Sequence, residues 1–296
     1  MKLTIFTPTY NRAYILNDAY ESLKRQTNQN FEWLIVDDGS TDATDELVEN
    51  FKKEGVISIR YIKKTNGGQH TALNLAIEMV DDGLLMILDS DDTLKENAVE
   101  RILFWANSIN EENIAGVSGL RIHKDGSVIG DKWFIKKEYI DATNLERKKY
   151  GLRGDKAEAY FVSILKKYYP IPVFPGENDV EKGVLWNRIA ADGYKIRWFN
   201  EGIYYCEYLN DGMTKNIEKN YIKNFQGYTL WIKENFSYQK TKLNKIKAIA
   251  YYTHIAKLKG ISNKELVEMF HINYVDLFIS KIIGHIVVFR MKKCRR

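Results

Sequence analysis

Cysteine is almost missing from this chain: Cys206 and Cys294 are the only two in 296 residues and lie far apart. No disulfide framework can be built from such a pair, and a reducing, cytosolic compartment is the expected setting. Also missing is any uninterrupted run of about 18 apolar residues, the minimum for a helix that spans a bilayer. The apolar opening Leu3, Ile5, Phe6 meets Pro8 before it reaches the length of a signal-peptide core, so no secretion is expected. Proline is scarce, 4 residues against 19 glycines, and neither an internal repeat nor a low-complexity tract is present. A disordered chain and a repeat solenoid are thereby excluded. What remains is 45% hydrophobic and 28% charged, the composition of an ordinary folded protein. The length suits one large α/β domain with an appendage, or two modest domains.

The net charge of +5 conceals an asymmetry. Residues 215–296 carry 17 Lys/Arg against 5 Asp/Glu, while residues 1–214 carry 27 against 34. A basic segment serves nucleic acid, an anionic membrane surface, or only a solvated set of helices.

Short apolar runs alternate with helix-period segments through the first hundred residues, which predicts βαβ units and a mostly parallel sheet. Strands are expected at Leu3–Thr7, Trp33–Val36, Ile57–Ile62 and Leu84–Leu88, and helices at Asp42–Lys53, at Gln69–Val80 and around Ile15, Ala19 and Leu23. Each strand ends in a polar loop. In an open α/β sheet the loops at the carboxyl ends of the strands line the ligand crevice, which directs attention to Thr7–Arg12, Asp37–Ser40, Lys63–His70 and Asp89–Asp92. Further on, the pattern predicts a helix from Thr93 to Ser108, strands at Ile114–Ile122 and Val128–Ile135, and a polar loop over 136–153. Helices at Asp155–Tyr168 and Val180–Asp192 and short strands at Lys195–Asn200 and Ile203–Tyr208 follow. Beyond Thr214 only helices are expected, so the chain divides into a domain at 1–212 and a basic helical region at 213–296.

Asp89-Ser90-Asp91-Asp92 follows the apolar run Leu84-Leu85-Met86-Ile87-Leu88. Two carboxylates two residues apart at a strand end are hard oxygen donors suited to Mg²⁺ or Mn²⁺ held jointly with a diphosphate. The plainer alternative is an acidic turn that caps a helix beginning near Leu94. Asp37-Asp38-Gly39-Ser40-Thr41-Asp42 could likewise only cap the next helix, yet capping needs one carboxylate; a second could accept the N3–H of a pyrimidine. Lys64-Thr65-Asn66-Gly67-Gly68 opens a helix whose N-terminus favours an anion, although Asn-Gly-Gly alone is more often a plain turn.

Taken in order, Thr7-Pro8-Thr9-Tyr10-Asn11-Arg12, Val36 to Asp42, Asn66-Gly67-Gly68 with Ala72 and Asn74, and Asp89-Ser90-Asp91-Asp92 resemble the family 2 glycosyltransferases of the GT-A fold over roughly residues 1–210. The resemblance implies a nucleotide-diphosphosugar transferase fold, a mixed and mostly parallel sheet flanked by helices, here with a C-terminal helical extension. It implies metal-dependent, inverting transfer of a sugar from a nucleotide diphosphate, with UDP as the expected carrier, to an acceptor hydroxyl. By motif position, Pro8, Tyr10 and Asp38 are expected around the base, Lys64, Asn66, Gly67 and Gly68 near ribose and diphosphate, and Asp89 at the ribose, with Thr7, Arg12 and Ser90 also expected to bind the nucleotide sugar. Asp89 and Asp91 are expected to hold the Mn²⁺ or Mg²⁺.

The acceptor proton needs a base. In the family it sits in an acidic pair before a Leu-Trp-like helix with an Arg, matched here by Gly176-Glu177-Asn178-Asp179-Val180-Glu181-Lys182 before Leu185-Trp186-Asn187-Arg188. Lys182 occupies the position expected for the base, which leaves Glu181 or Asp179 as the candidates. A solvated acidic helix start explains both equally simply. Gly154-Asp155-Lys156 with Glu158 resembles a block of capsule- or exopolysaccharide-building members, and an ordinary N-cap at Asp155 explains it nearly as well. Trp133, Trp186 and Trp198 read as sugar-stacking or core residues, and His70, His123, His254, His271 and His285 show no metal-ligand spacing.

In the basic region, Val275, Phe278, Ile279, Ile282, Ile283 and Ile286 recur at helical spacing ahead of Arg290-Met291-Lys292-Lys293-Cys294-Arg295-Arg296. An interfacial helix with a basic end looks like this, and so does a helix packed on its own domain or on a second copy in a homodimer. The expected partners are therefore a nucleotide-sugar donor, a lipid-linked saccharide acceptor in surface-polysaccharide synthesis and the inner face of the cell membrane, with nucleic acid excluded. A nucleotidyltransferase, or a catalytically silent nucleotide-sugar binder, is the alternative; the first lacks a basic, Gly-rich signature at Thr7–Arg12, and the second rests on Lys182.

Overall fold

The computed structural model describes residues 1–131, 136–206 and 217–294. Two compact units make up the chain, Met1–Ile171 with Leu185–Asn210, and Pro172–Val184 with Asp211–Arg296. The division expected at 212/213, like Trp133 and Arg295-Arg296, lies outside the described residues.

In the first unit, β1 (Leu3–Thr9), α1 (Leu16–Lys24), β2 (Phe31–Asp37), α2 (Thr44–Glu54), β3 (Ile59–Lys63), α3 (Gln69–Met79) and β4 (Leu84–Ile87) follow the alternation read from the sequence. Then come β5 (Thr93–Leu94), α4 (Ala98–Asn107), β6 (Ile114–Ile122), β7 (Tyr139–Ala142), β8 (Lys156–Phe161), α5 (Val162–Tyr168), α6 (Gly183–Ala191, in this unit from Leu185 onward) and β9 (Lys195–Tyr205). The strands form one mixed sheet in the order β3-β2-β1-β4-β8-β6-β9-β5, with β7 added on β9. β3, β2, β1 and β4 are mutually parallel, whereas β8 runs antiparallel to both β4 and β6. Strands buried on both faces account for the unbroken apolar runs, and every residue of β1 is buried. Beneath β1 and β2, Tyr20 stacks on Phe51 at 3.9 Å between centroids, and Trp33 donates its indole N–H to Thr7 Oγ1 at 2.8 Å.

Four expectations need correction. Asp155–Tyr168 is not one helix: Lys156–Phe161 is the strand joining the two halves of the sheet, and only Val162–Tyr168 is helical. Lys-Ala-Glu-Ala-Tyr-Phe alternates with the period of a strand, and in it Ala157, Ala159 and Tyr160 enter the core. Residues 136–153 are not only loop, since β7 and a 3₁₀ turn at Arg147–Tyr150 lie there. The helix after the Asp89–Asp92 turn begins at Ala98, because Thr93 and Leu94 pair with Tyr205 and Tyr204 of β9. Lys195–Asn200 and Ile203–Tyr208 are not separate strands; Lys195–Tyr205 is continuous, and the polar Asn200-Glu201-Gly202 between the two runs falls where its register against β6 shifts.

The second unit holds α7 (Ile217–Lys223), α8 (Phe225–Ser237), α9 (Lys242–Ala248), α10 (Ala250–Leu258), α11 (Asn263–Phe270) and α12 (Tyr274–Cys294). Its core gathers Tyr221, Tyr228, Tyr252, Phe270 and Leu277. Thr241 caps α9 through Asn244 N–H, and Ser262 with Glu265 forms a reciprocal capping box on α11. α12 packs closely on α10. Ser280 donates to Ile246 O at 3.0 Å, and a Cβ at Gly284 would stand 2.3 Å from Ala250 O.

Candidate active site

The four loops at the carboxyl ends of β1, β2, β3 and the turn after β4 are hydrogen-bonded to one another in sequence. Asn11, at φ 54°, donates its N–H to Ser40 Oγ at 2.8 Å and accepts Thr41 N–H on Oδ1 at 2.8 Å. Asp42 accepts Ala13 N–H at 3.0 Å, so the first loop is tied to the second at three points. Asp37, fully buried, is occupied by Ser40 N–H at 2.7 Å and Tyr61 O–H at 2.6 Å. It closes its own turn, which leaves Asp38 as the carboxylate turned toward the third loop.

Asp38 receives Lys64 Nζ at 2.6 Å and Gly67 N–H at 2.9 Å on Oδ1, and Gly68 N–H at 2.7 Å on Oδ2. Its carbonyl takes Asn66 Nδ2 at 2.9 Å. The whole Asn-Gly-Gly loop is thus clasped by one buried residue. Glycine is required at two points: Gly68 has φ 93°, and a Cβ on Gly39 (φ 86°) would meet Asn66 N at 3.0 Å. From this loop α3 starts, and Gln69 Nε2 reaches Asp89 Oδ1 at 3.2 Å.

Asp89 is held from behind by residues that motif reading did not single out. Its N–H donates to Tyr204 Oη at 2.9 Å, and its Oδ2 faces Arg121 Nη1 at 3.2 Å. Arg121 lies 4.1 Å from the Tyr204 ring centroid, pairs with Asp92 at 3.5 Å, and donates through Nε to Lys156 O at 3.1 Å. Burial pushes the Asp92 carboxyl up to about 7, with the nearby Asp89 charge adding to the rise and Arg121 opposing it. Cys206 donates its thiol toward Asp92 at 3.5 Å, and burial pushes that thiol up to about 12. An arginine inside the strand Ile114–Ile122, which is otherwise uncharged and, Ser118 aside, apolar, was the one signal available in advance.

The expected residues divide accordingly. Asp38, Lys64, Asn66, Gly67, Gly68 and Asp89 come together in one bonded set, with buried Ser90 and half-buried Asp91 in the turn after β4. Pro8 is buried at the end of β1, Tyr10 is 48% exposed on the first loop, and Arg12 reaches Tyr14 Oη. Thr7 is buried within β1, where its Oγ1 accepts the Trp33 indole N–H. Thr9, at the very end of β1, has a buried hydroxyl with no hydrogen-bond partner among the described residues. The Asp89–Asp92 turn caps no helix, since α4 starts only at Ala98. Of the tryptophans, Trp198 is core, bonded to Ala142 O at 2.9 Å, and Trp186 stacks on Tyr160 at 4.3 Å.

The candidate bases lie on the segment that belongs to the second unit. Glu181 accepts Tyr221 O–H at 2.8 Å, and Asp179 accepts Asn220 Nδ2. Glu177 accepts Gln226 and Gly227 N–H at 2.7 and 2.8 Å and so caps α8. Both Asp179 and Glu181 precede α6, which begins at Gly183.

Among the described residues no group of three or more His, Cys, Asp or Glu side chains could hold a metal. A cage made wholly of protein is therefore not offered. Two carboxylate residues, Asp89 and Asp91, fit a small hard cation that takes its remaining oxygens from a diphosphate.

The glycosyl transferase family 2 model matches residues 4–169, and the chain belongs to that family. An uncharacterized glycosyltransferase of Rickettsia felis is 41% identical over 99 residues, 33% of this chain but only 16% of its own length. The chain thus spans less than a fifth of that relative. The GalNAc(5)-diNAcBac-PP-undecaprenol beta-1,3-glucosyltransferase of Campylobacter jejuni is 26% identical over 270 residues, 86% of this chain and 84% of its own. Among solved structures, S. aureus TarS 1-349 in complex with UDP-GlcNAc superimposes with a TM-score of 0.60 at 20% identity, covering 99% of this chain and 92% of that one. A likeness at that identity concerns the fold.

Proposed function

We propose that this chain transfers a sugar from a UDP-sugar to a hydroxyl of a lipid-linked saccharide, with inversion at the anomeric carbon and with Mn²⁺ or Mg²⁺ as cofactor. The observation that carries the donor half is the Asp38 clasp, which joins three strand-end loops and leads through Gln69 to Asp89. Such a crevice at the carboxyl ends of parallel strands is where an α/β sheet binds a nucleotide. The lipid-linked acceptor is supported by the Campylobacter relative, whose name states a PP-undecaprenol substrate.

The chain's own residues then have distinct tasks. Pro8, Tyr10 and Asp38 frame the base, while Lys64 and the N-terminus of α3 offset phosphate charge. Asp89 and Asp91 would hold the metal, which when bound neutralises charge growing on the departing diphosphate. Arg121 and Tyr204 fix the orientation of Asp89. Glu181 takes the proton of the attacking hydroxyl, with Asp179 as the other candidate. Surface-polysaccharide synthesis at the inner face of the membrane is the setting this reading implies, with α12 as a peripheral contact and a homodimer as the competing use of that helix.

Calorimetric titration with a panel of nucleotide sugars in the presence of Mn²⁺ tests the donor, and release of UDP on addition of a lipid-linked saccharide tests turnover. Tight UDP-sugar binding with no turnover on any acceptor would favour a silent nucleotide-sugar binder, the reading that Lys182 at the expected base position supports. Absence of UDP-sugar binding would remove the donor assignment altogether.

A further inference from the structure

In the second unit the apolar row of α12 is exposed at Val275, Phe278, Ile282 and Ile286, which corrects the alternative that this stripe packs on its own domain. A different face of α12, with Leu277, Ser280 and Gly284, is the buried one. No single described helix is long and apolar enough to cross a membrane. α7 and α8 have another occupation. They hold the segment 177–183, on which both candidate bases lie.

Each residue from Glu177 to Glu181 meets this helix pair. Glu177 caps α8, and Asn178 donates its N–H to Oδ1 of the buried Asn224 at 2.8 Å. Asp179 accepts Asn220 Nδ2, and Asn220 Oδ1 in turn accepts Asn224 Nδ2 at 2.8 Å. A Cβ on Gly227 would stand 2.8 Å from Val180 Cγ2, and one on Gly183 would stand 2.8 Å from Trp231 Nε1. The segment therefore lies directly on the two helices, with no room for a side chain at either glycine. The amide chain of Asn220 and Asn224 runs back to the backbone of the segment and holds its shape.

Glu181 is held differently. Tyr221, the residue after Asn220 on α7, is 7% exposed, and its ring stacks on Tyr228 at 3.9 Å between centroids and 10° between planes. Its hydroxyl donates to Glu181 Oε1 at 2.8 Å. Burial first, and then the Glu181 charge, push the Tyr221 phenol well above its ordinary value, so it stays a protonated donor. A neutral donor on a ring fixed by stacking sets where the carboxylate lies.

We propose that Tyr221 is a positioning residue for sugar transfer, fixing the carboxylate of Glu181 for removal of the acceptor proton. The proposal rests on the reading of Glu181 as the base, and it brings α7 into the catalytic machinery. In the step concerned the acceptor oxygen bonds to the anomeric carbon as the sugar–phosphate bond breaks. The electron pair leaves with UDP and the acceptor proton ends on Glu181, while Tyr221 keeps its own proton.

The test is a double-mutant cycle on the full chain with Mn²⁺ present. It reads UDP release from UDP-glucose or UDP-N-acetylglucosamine, to water and to an undecaprenyl-diphosphate-linked saccharide. Tyr221→Phe keeps the stack and removes only the hydroxyl; it should lower kcat by about 10–100-fold, as a misplaced catalytic group does, and leave KM for the UDP-sugar within about twofold. Added to Glu181→Gln, it should cost less than about twofold more, because a positioning residue acts only through the group it positions. Tyr228→Phe, which takes a hydroxyl from the same stack, should keep kcat within about twofold of wild type. Wild-type kcat in Tyr221→Phe, equal loss in Tyr228→Phe, or losses that multiply in the double variant would overturn the positioning role and leave Glu181 as the base. Wild-type kcat in Glu181→Gln, or no UDP release by wild type, removes the underlying reading, and the proposal falls with it. Should circular dichroism show Tyr221→Phe unfolded at the assay temperature, Glu181→Asp withdraws the carboxylate from the hydroxyl by one methylene instead; a loss of about tenfold or more in kcat supports the proposal and wild-type kcat overturns it.

Discussion

Replacing Asp38 by alanine removes the acceptor for three donors at once, and the geometry sets what this should cost. Gly68 is buried and its N–H has no route to solvent, so losing a charge-assisted bond there costs about 1.5–3 kcal/mol. Gly67 N–H is less enclosed, and Lys64, with 20% of its side chain exposed, can regain water; both contributions are discounted for screening. The total is then about 2–4 kcal/mol. At roughly 2 °C per kcal/mol for a chain of this size, Asp38→Ala should lower Tm by about 4–8 °C. UDP affinity should fall as well, because the loop that leads into the N-terminus of α3 is no longer held. Lys64→Met separates the two effects: it leaves the amide bonds of Gly67 and Gly68 intact, and should lower Tm by less than half as much. Differential scanning calorimetry reads the stability and isothermal titration with UDP reads the site. An Asp38→Ala protein that melts within about 1 °C of wild type would refute the clasp, whatever its UDP affinity.

Glu181→Gln should depress turnover by about 10²–10⁴-fold with UDP affinity unchanged, the usual contribution of general base catalysis; the same loss in Asp179→Asn but not in Glu181→Gln would reassign the base. Asp91→Asn should abolish the Mn²⁺ enhancement of UDP-sugar binding, since an amide has no charge to offer, and persistence of that enhancement in a titration would exclude Asp91 as a ligand. Arg121→Met leaves Asp89 and Asp92 side by side without their cation, so stability should fall by about 3–5 kcal/mol in urea melts; a neutral result would deny Arg121 its positioning role. Gly284→Val drives a Cβ against Ala250 O and should lower the melting temperature of the helical unit, followed by far-ultraviolet circular dichroism.

The parallel half of the sheet was legible because each βα unit is local. Leu3–Thr9, Phe31–Asp37 and Leu84–Ile87 are apolar runs closed by polar residues, and the helices between them keep their period without depending on distant partners. The loops that carry the candidate site residues were legible for the same reason: once the strands are placed, their carboxyl ends are placed too. Errors begin where local pattern and tertiary pairing disagree. Thr93-Leu94 continues naturally into the helical pattern of α4, yet both residues are recruited by β9, 110 residues further along the chain.

The misreading of residues 155–161 as helix shows how one element hides a site. A helix there leaves β6 with no neighbour connecting it to β4. Arg121, on β6, then has no reason to approach Asp89, which follows β4. With Lys156–Phe161 placed as the strand between them, Ser118 pairs with Glu158 and Leu120 with Lys156, and Arg121 stands one residue beyond. Its Nε meets Lys156 O, and its guanidinium spans Asp89 and Asp92. Tyr204 arrives by the same logic, since Arg121 pairs with it across the β6–β9 ladder and its hydroxyl accepts the Asp89 N–H. A charged residue in an apolar strand announces that a partner exists, because burying a lone cation costs several kcal/mol. It does not announce which partner, and here the choice is made by two strand pairings that no local window of sequence contains.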